Sequence, residues 1–177
     1  MMNLEIGTDI TSIDRMSKVL KRQGFSFLQR FLLPSEIIMI HKRLDSHKSF
    51  ILHDNTHRTS LKTFSRQDLD CYQNKTAAIL ESLETNFCIA EYRVSSITAY
   101  WSLKEALSKA FGVGIGSLVS FHDICIYKDS LGKPNVALHK ECKKNLESHY
   151  SYTIQKISVS ISHDNGFAIA VCAVTLA

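Results

Sequence analysis

The sequence predicts an α+β fold, in which helices and antiparallel strands occupy separate stretches of one domain. A long helix is expected over residues 96–111, because apolar side chains recur there with helical spacing. This stripe consists of Tyr100, Leu103, Leu107, Ala110 and Phe111. Near the C-terminus, Asn165-Gly166 separates two apolar runs, as is typical of a tight β-hairpin. The length of 177 residues, with 45% hydrophobic residues, suits a single domain with its own core.

The first 43 residues predict one strand and two or three helices. Residues 4–10 favour a short buried strand, and Thr11 or Ser12 is suited to cap a following helix through Leu20. Gly24 should break this helix, and an apolar, aromatic segment follows over residues 25–33. The Pro34-Ser35-Glu36 sequence then favours a new helix start.

The middle of the chain changes in composition. Residues 44–70 are rich in Ser, Thr, Asp and His and lack apolar periodicity, so we expect a loop or a loosely packed insertion. Apolar residues recur with helical spacing over residues 72–87, which predicts a helix.

The C-terminal third is expected to be mostly strand. Residues 121–127 should form a strand, a turn follows over 128–134, and residues 136–138 can pair back. A short helix is expected over 139–150. In the next strand, apolar residues alternate with serines over 157–162. Residues 167–174 are almost continuously apolar, as in a strand with neighbours on both sides.

Charge and cysteine content limit the possible functions. The net charge of +4 suits an acidic partner or a polyphosphate substrate, although an ordinary basic surface would give the same value. A charge of this size is too small to indicate nucleic-acid binding. Five scattered cysteines without a CxxC motif argue against a disulfide framework and favour a reducing compartment. Without a signal peptide or an apolar run of about 20 residues, we expect a cytoplasmic protein.

Three charged residues suggest a metal-dependent phosphoryl-type transfer. Glu105 and Lys109 are four residues apart on the predicted long helix, and Asp9 stands at the end of the first predicted strand. The helical pair alone is more often a surface ion pair. Magnesium usually takes one or two protein carboxylates and completes its shell with phosphate oxygens and water. Asp9 and Glu105 could be those two ligands, with Lys109 placed to contact phosphate.

Two other sites are rejected from spacing. His41, His47, His53 and His57 lack the cysteine or carboxylate partners of a closed zinc site. The glycines at 112, 114 and 116 follow a helix, whereas a dinucleotide fingerprint follows a strand and opens a helix.

Five motifs in one order resemble the holo-[acyl-carrier-protein] synthases, the small bacterial members of the 4′-phosphopantetheinyl transferase family. They cover residues 2–43 and 97–175. The motifs are Gly7-Thr8-Asp9-Ile10, Arg30-Phe31-Leu32-Leu33-Pro34-Ser35-Glu36, the stretch from Trp101 to Ile115, Gly132-Lys133-Pro134 and Ser160-Ile161-Ser162-His163. The Lys-Glu-Ala-x-x-Lys core with an upstream Gly-x-Asp is the most specific part.

The resemblance implies a reaction and a set of site residues. The serine hydroxyl of an apo acyl carrier protein attacks the β-phosphate of coenzyme A, so that phosphopantetheine is transferred and 3′,5′-ADP leaves. Asp9 and Glu105 correspond to the ligands of Mg²⁺, and Lys109 to the phosphate contact that assists proton movement. The residues implied near coenzyme A are Gly112, Gly114, Lys133 and His163.

The resemblance also implies partners and a fold. Arg15, with Lys18, Lys21 and Arg22, corresponds to a basic helix face that docks the acidic helix of the carrier protein. The expected fold is an antiparallel sheet packed with a long central helix. The expected assembly is a homotrimer with coenzyme A between subunits, acting in fatty-acid synthesis.

Three departures distinguish this chain from the family pattern. An insertion lies at about residues 44–96, Tyr100 replaces a usual arginine, and Ser12 replaces a usual acidic residue. Two other functions therefore stay open. One is a catalytically silent module that binds carrier protein, and the other is a magnesium-dependent hydrolase of nucleotide diphosphates.

Overall fold

The computed structural model describes residues 3–44 and 61–177. Within these residues, helices pack with two mostly antiparallel sheets in an α+β arrangement, which confirms the predicted fold class. The elements are β1 (Asn3–Ser12), α1 (Ile13–Gln23), α2 (Phe25–Gln29), α3 (Pro34–Ile40), β2 (Thr63–Phe64), α4 (Arg66–Thr85), α5 (Val94–Ala110), β3 (Ile124–Lys128), β4 (Pro134–His139), α6 (Lys140–Tyr150), β5 (Ile154–Asp164) and β6 (Phe167–Leu176).

The first sheet is antiparallel and has the strand order β1-β6-β5. The apolar strand β6 lies in the middle, as predicted, and the hairpin turn to β5 falls at Asn165-Gly166. One face of this sheet packs against α5. On β6 this face carries small or branched apolar side chains that are fully buried, namely Ala168, Ala170, Cys172 and Val174.

The main chains of helix α5 and strand β1 are in direct contact because residue 7 is glycine. A Cβ atom at Gly7 would collide with the carbonyl oxygen of Ala106 and the backbone nitrogen of Ala110. Both neighbours are main-chain atoms, so no side-chain rearrangement could relieve the collision. The absence of a side chain at Gly7 therefore sets the distance between the strand and the helix.

The second sheet has the order β2-β4-β3, with β4 antiparallel to β3 and parallel to β2. The predicted hairpin around residues 128–134 is confirmed. The predicted strand start at residue 121 is wrong, because residues 121–123 form a 3₁₀ turn before β3. The carboxylate of Asp123 accepts from the backbone N–H and hydroxyl of Ser120, which favours this turn over an extended strand.

The helix boundaries follow local signals. Ser12 rather than Thr11 caps α1, and Gly24 ends that helix with a φ of 64°. Pro34 opens α3, as predicted. Helix α4 begins at Arg66, six residues before the predicted start, because Ser65 and Asp68 form a capping box.

The central part of the predicted loop, residues 45–60, lies outside the described residues, and with it lie His47, His53 and His57. No helix in the described part of the chain is long and apolar enough to cross a membrane. All five cysteines are free thiols.

The prediction that β1 is buried is wrong for one of its faces. Leu4, Ile6 and Ile10 are 62%, 61% and 62% exposed, and they point away from α5. Exposed apolar residues of β6 continue the same face, namely Phe167, Ile169 and Val171. We call these six residues the open sheet face. The face directed at α5 is the one that carries Gly7, Asp9 and Thr11, since side chains alternate along a strand.

Replacing Gly7 tests the close packing of α5 on β1. We expect Gly7→Ala to lower the free energy of unfolding by about 3 kcal/mol or more, because the added methyl group meets backbone atoms. Thermal and denaturant unfolding measure the loss. Gly116→Ala is the matched control, since a Cβ there has no neighbour within 4 Å. Equal stability of the two variants would contradict the proposed contact.

Candidate active site

A charged cluster lies where β1 meets α5. The Nζ of Lys109 donates to Oδ1 of Asp9 at 2.7 Å, linking residues that are 100 positions apart in sequence. The hydroxyl of Thr11 donates to the other oxygen of Asp9 at 2.9 Å. Thr11 thus orients the carboxylate instead of capping the helix. Asp9 faces α5 because its strand position pairs with the buried Ala170.

Glu105 lies next to this pair on α5, one turn before Lys109. Partial burial raises the pKa of the Glu105 carboxyl above 4.5; the negative charge of Asp9 raises it further, and Lys109 opposes the shift. Lys109 bonds across to the strand, and the two carboxylates influence each other electrostatically.

The donor set fits a magnesium ion bound jointly with a phosphate ligand. Mg²⁺ commonly takes one or two protein carboxylates and leaves its other positions for water and phosphate oxygens. A carboxyl group whose charge is disfavoured by burial and by a neighbouring carboxylate, on a partly open surface, suits such an ion. Among residues 3–44 and 61–177 no group of three or more His, Cys, Asp and Glu side chains could form a closed protein cage.

The glycines after α5 form an open turn beside the site. Gly112 and Gly114 have positive φ values of 73° and 65°, and the N–H of Gly112 donates to the carbonyl of Lys109 at 2.9 Å. This confirms that they end the helix. A Cβ at either glycine would have no neighbour within 4 Å, so the turn borders free space.

His163 shares a sheet face with Asp9, whereas Lys133 lies elsewhere. Thr11, Ala168 and His163 pair across the three strands, so their side chains point to the same side as α5. Neighbouring strands are about 4.8 Å apart, which places the backbones of Thr11 and His163 about 10 Å apart. Lys133 is exposed at the tip of the β3–β4 hairpin in the second sheet.

The basic residues of α1 lie close to Asp9 in sequence and on the surface. Arg15, Lys18, Lys21 and Arg22 are all exposed. Arg15, Lys18 and Arg22 recur at helical spacing, which puts them on one side of α1. Strand β1 runs directly into α1 at Ser12, so this basic side begins only a few residues beyond Asp9.

Two charged residues of the site region were missed in the sequence. Lys104 and Glu36 have no exposed surface, and Lys104 Nζ lies 2.7 Å from Glu36 Oε2. The sequence did contain a signal for the burial of Lys104, because this residue falls within the apolar stripe of α5, four residues after Tyr100. Tyr100 itself is buried, and its hydroxyl contacts the sulfur of Met39 at 3.2 Å.

Aromatic side chains flank the site along α5. Trp101 lies one turn before Glu105 and packs on Phe27, Phe31 and Phe121, with ring centroids 6.0, 5.1 and 4.7 Å away. Phe31 is fully buried and the other three rings are partly exposed. This aromatic wall lies toward the N-terminal end of α5 from Glu105, whereas the glycine turn follows its C-terminal end.

Residues 58–172 match the 4′-phosphopantetheinyl transferase superfamily. A holo-[acyl-carrier-protein] synthase of Sulfurovum sp. (strain NBC37-1) is 34% identical over 171 residues, which is 97% of this chain and 96% of that protein. One from Helicobacter pylori (strain G27) is 36% identical over 170 residues, 96% of each chain.

Solved structures of the same kind of protein also match. The Helicobacter pylori holo-[acyl-carrier-protein] synthase in complex with coenzyme A has a TM-score of 0.59 and 34% identity, covering 96% of this chain and 98% of that one. The Neisseria meningitidis protein has a TM-score of 0.60 and 25% identity, covering 96% of each.

The electrostatics of Glu105 can be tested without any metal. A carboxyl group whose pKa rises on folding destabilises the fold once it is ionised, and this effect disappears below the unfolded value near 4.5. In the presence of a chelator, Glu105→Gln should therefore raise the Tm at pH 7, and the gain should vanish as the pH falls through the raised pKa to below 4.5.

Glu81→Gln on the exposed surface of α4 controls for the loss of a helical carboxylate. Differential scanning calorimetry across this pH range measures both variants. A lower Tm of Glu105→Gln at pH 7 would show that Asp9 and burial do not oppose the charge of Glu105.

Proposed function

The chain belongs to the holo-[acyl-carrier-protein] synthases of the 4′-phosphopantetheinyl transferase superfamily, and we propose that it modifies an acyl carrier protein for fatty-acid synthesis in a magnesium-dependent reaction. Phosphopantetheine passes from coenzyme A to a serine of the apo carrier. The observation that carries the proposal is the meeting of Asp9, Glu105 and Lys109 at the contact of β1 with α5.

Each charged residue has a role in this reaction. Asp9 and Glu105 would hold the magnesium ion, and the hydroxyl of Thr11 keeps the Asp9 carboxylate in place by donating to one of its oxygens. When bound, the ion offsets negative charge on the diphosphate of coenzyme A. Lys109 has a partly exposed ammonium group beside Asp9 and contacts a phosphate oxygen, where it stabilises charge that develops during transfer.

The bond changes follow from this placement. The serine oxygen of the carrier forms a bond to the β-phosphorus of coenzyme A as the bond from that phosphorus to the bridging oxygen breaks. The electron pair stays on the leaving 3′,5′-ADP, and the serine hydroxyl gives up its proton. Solvent water at this partly open site takes up that proton, because both carboxylates would be engaged with the ion and Lys109 with phosphate.

Coenzyme A would lie over the end of α5. The free space at Gly112 and Gly114 lets the ligand approach the backbone closely. His163 faces the same side of the sheet as Asp9 and provides a polar contact for the ligand. Lys133 lies in the second sheet, away from the other residues, so it would contact only the end of coenzyme A that is farther from Asp9.

The carrier protein would dock on the exposed basic side of α1, formed by Arg15, Lys18 and Arg22. An acidic helix of the carrier complements this surface, and the docking would bring its serine to the neighbouring Asp9. Because exposed charges are screened by salt, docking should weaken at high ionic strength.

The open sheet face supports assembly into the expected homotrimer. It presents a contiguous set of apolar side chains on β1 and β6, and an apolar patch of this kind is costly to leave in water. Helix α5 covers only the opposite face of the sheet. A second copy of the chain is the occupant that this symmetric assembly requires.

Intact mass spectrometry tests the transfer reaction. An apo acyl carrier protein incubated with this protein, coenzyme A and Mg²⁺ should gain the mass of one phosphopantetheine group. The gain should be lost with a chelator and with Glu105→Gln, while Glu81→Gln should behave as wild type. Release of 3′,5′-ADP without a carrier would indicate a hydrolase instead. Coenzyme A binding without transfer to several carriers would indicate a silent binding module.

Sedimentation equilibrium tests the assembly. The wild-type protein should have three times the chain mass of 20.0 kDa, and Ile6→Asp should shift it toward the single-chain mass. Leu131→Asp is the matched control, because Leu131 is 93% exposed but lies outside the open sheet face. A wild-type protein of single-chain mass, or a trimer unaffected by Ile6→Asp, would contradict the assignment of this face.

A further inference from the structure

Lys104 is a fully buried ammonium group in the middle of α5. Its Nζ donates to Glu36 Oε2 at 2.7 Å, to the carbonyl of Phe31 at 2.8 Å and to the carbonyl of Phe121 at 3.0 Å. An ammonium group has three donors, so each of its hydrogens has a partner. The side chain cannot move without leaving a charge unpaired in the core.

Both oxygens of the Glu36 carboxylate also accept hydrogen bonds from the main chain. Oε1 accepts from the N–H of Ile126 at 2.7 Å, and Oε2 also accepts from the N–H of Leu33 at 2.7 Å. Burial raises the pKa of Glu36, while Lys104 and the two peptide groups favour its charged form. This network links α3, α5 and β3 at one point.

The two neighbours of Glu105 in the helix, Lys104 and Ala106, are therefore both fixed by contacts with other elements. Successive residues on a helix are rotated by about 100°, so residues 104 and 106 point to opposite sides of residue 105. On one side Lys104 is anchored in the polar network. On the other side the backbone of Ala106 rests against Gly7. Between these two restraints, α5 can neither rotate nor slide along β1 without breaking one of them.

We propose that the buried Glu36–Lys104 pair is a positioning device for the metal site, which sets the rotation of α5 and so aims Glu105 at Asp9. This inference rests on the proposed function. The pair touches neither substrate nor metal, and it acts through the backbone of the helix.

Stability alone is a poor reason for such a pair. The desolvation of two buried charges offsets much of the free energy of their attraction. Proteins in which such a pair is replaced by well-packed apolar side chains are often equally stable. The network also holds the carbonyl groups of Phe31 and Phe121, whose rings pack on Trp101 one turn before Glu105. The same contacts therefore fix the aromatic wall and the carboxylate of the site together.

Binding of Mn²⁺, used as a spectroscopic substitute for Mg²⁺, separates positioning from stability. The variant Glu36→Gln/Lys104→Met removes both charges and keeps similar side-chain volumes. Titration with Mn²⁺ in the presence of coenzyme A, followed by electron paramagnetic resonance, gives the affinity per folded molecule. We expect a loss of about tenfold or more, the size typical of groups that orient a metal ligand.

Two further variants complete the test. Glu36→Asp keeps both charges but shortens the bridge by one methylene group, and it should weaken Mn²⁺ binding in the same direction even if the double variant does not fold. Lys143→Met/Glu147→Gln removes a Lys–Glu pair of 2.6 Å on α6, away from the site, and should leave Mn²⁺ binding unchanged.

The outcomes distinguish this inference from the proposed function. If the wild-type protein neither binds Mn²⁺ with coenzyme A nor transfers phosphopantetheine, the proposed function is wrong. If the wild type does both, and the folded Glu36 variants bind Mn²⁺ as tightly as it does, the pair only stabilises the fold and the positioning role is overturned.

Discussion

The contact of α5 with β1 at Gly7 is the constraint on which the site depends. It brings a strand and a helix so close that their main chains touch, because one position has no side chain. Asp9 and Lys109 come from these two elements and form an ion pair only at this distance. Every proposed ligand of the metal thus stands within a few residues of a backbone contact. Such a contact is stiffer than one made by flexible side chains.

The opposite side of α5 is held by different means. There the helix meets a second layer, formed by α3, β3 and the aromatic segment around Phe31, through a buried ion pair. An apolar contact tolerates small shifts, but a charge pair with all its hydrogen bonds made has one favourable arrangement. The helix is therefore restrained on one side by its steric contact with Gly7 and on the other by the buried ion pair of Lys104 with Glu36. The side chain of Glu105 emerges between them.

The first sheet has an unusual distribution of polarity. On β1 the apolar side chains Leu4, Ile6 and Ile10 face outward, whereas Asp9 and Thr11 face the helix. The need to place a carboxylate beside α5 explains this inversion. Its consequence is an exposed apolar surface on the side of the sheet that faces away from α5. The alternation of side chains along one strand thus places the charged cluster and the apolar surface on opposite faces of the sheet.

Local signals were sufficient for much of the fold. The helix end at Gly24, the helix start at Pro34 and the Asn165-Gly166 hairpin depend on neighbouring residues, so the sequence by itself determined them, and it narrowed the cap of α1 to Thr11 or Ser12. It also singled out Asp9, Glu105 and Lys109 as candidate site residues. Only the tertiary structure decided that Lys109 bonds to Asp9, that Lys104 pairs with Glu36 and that one face of β1 is exposed. These outcomes depend on which distant surfaces meet, and periodicity within a segment carries no information about its partner.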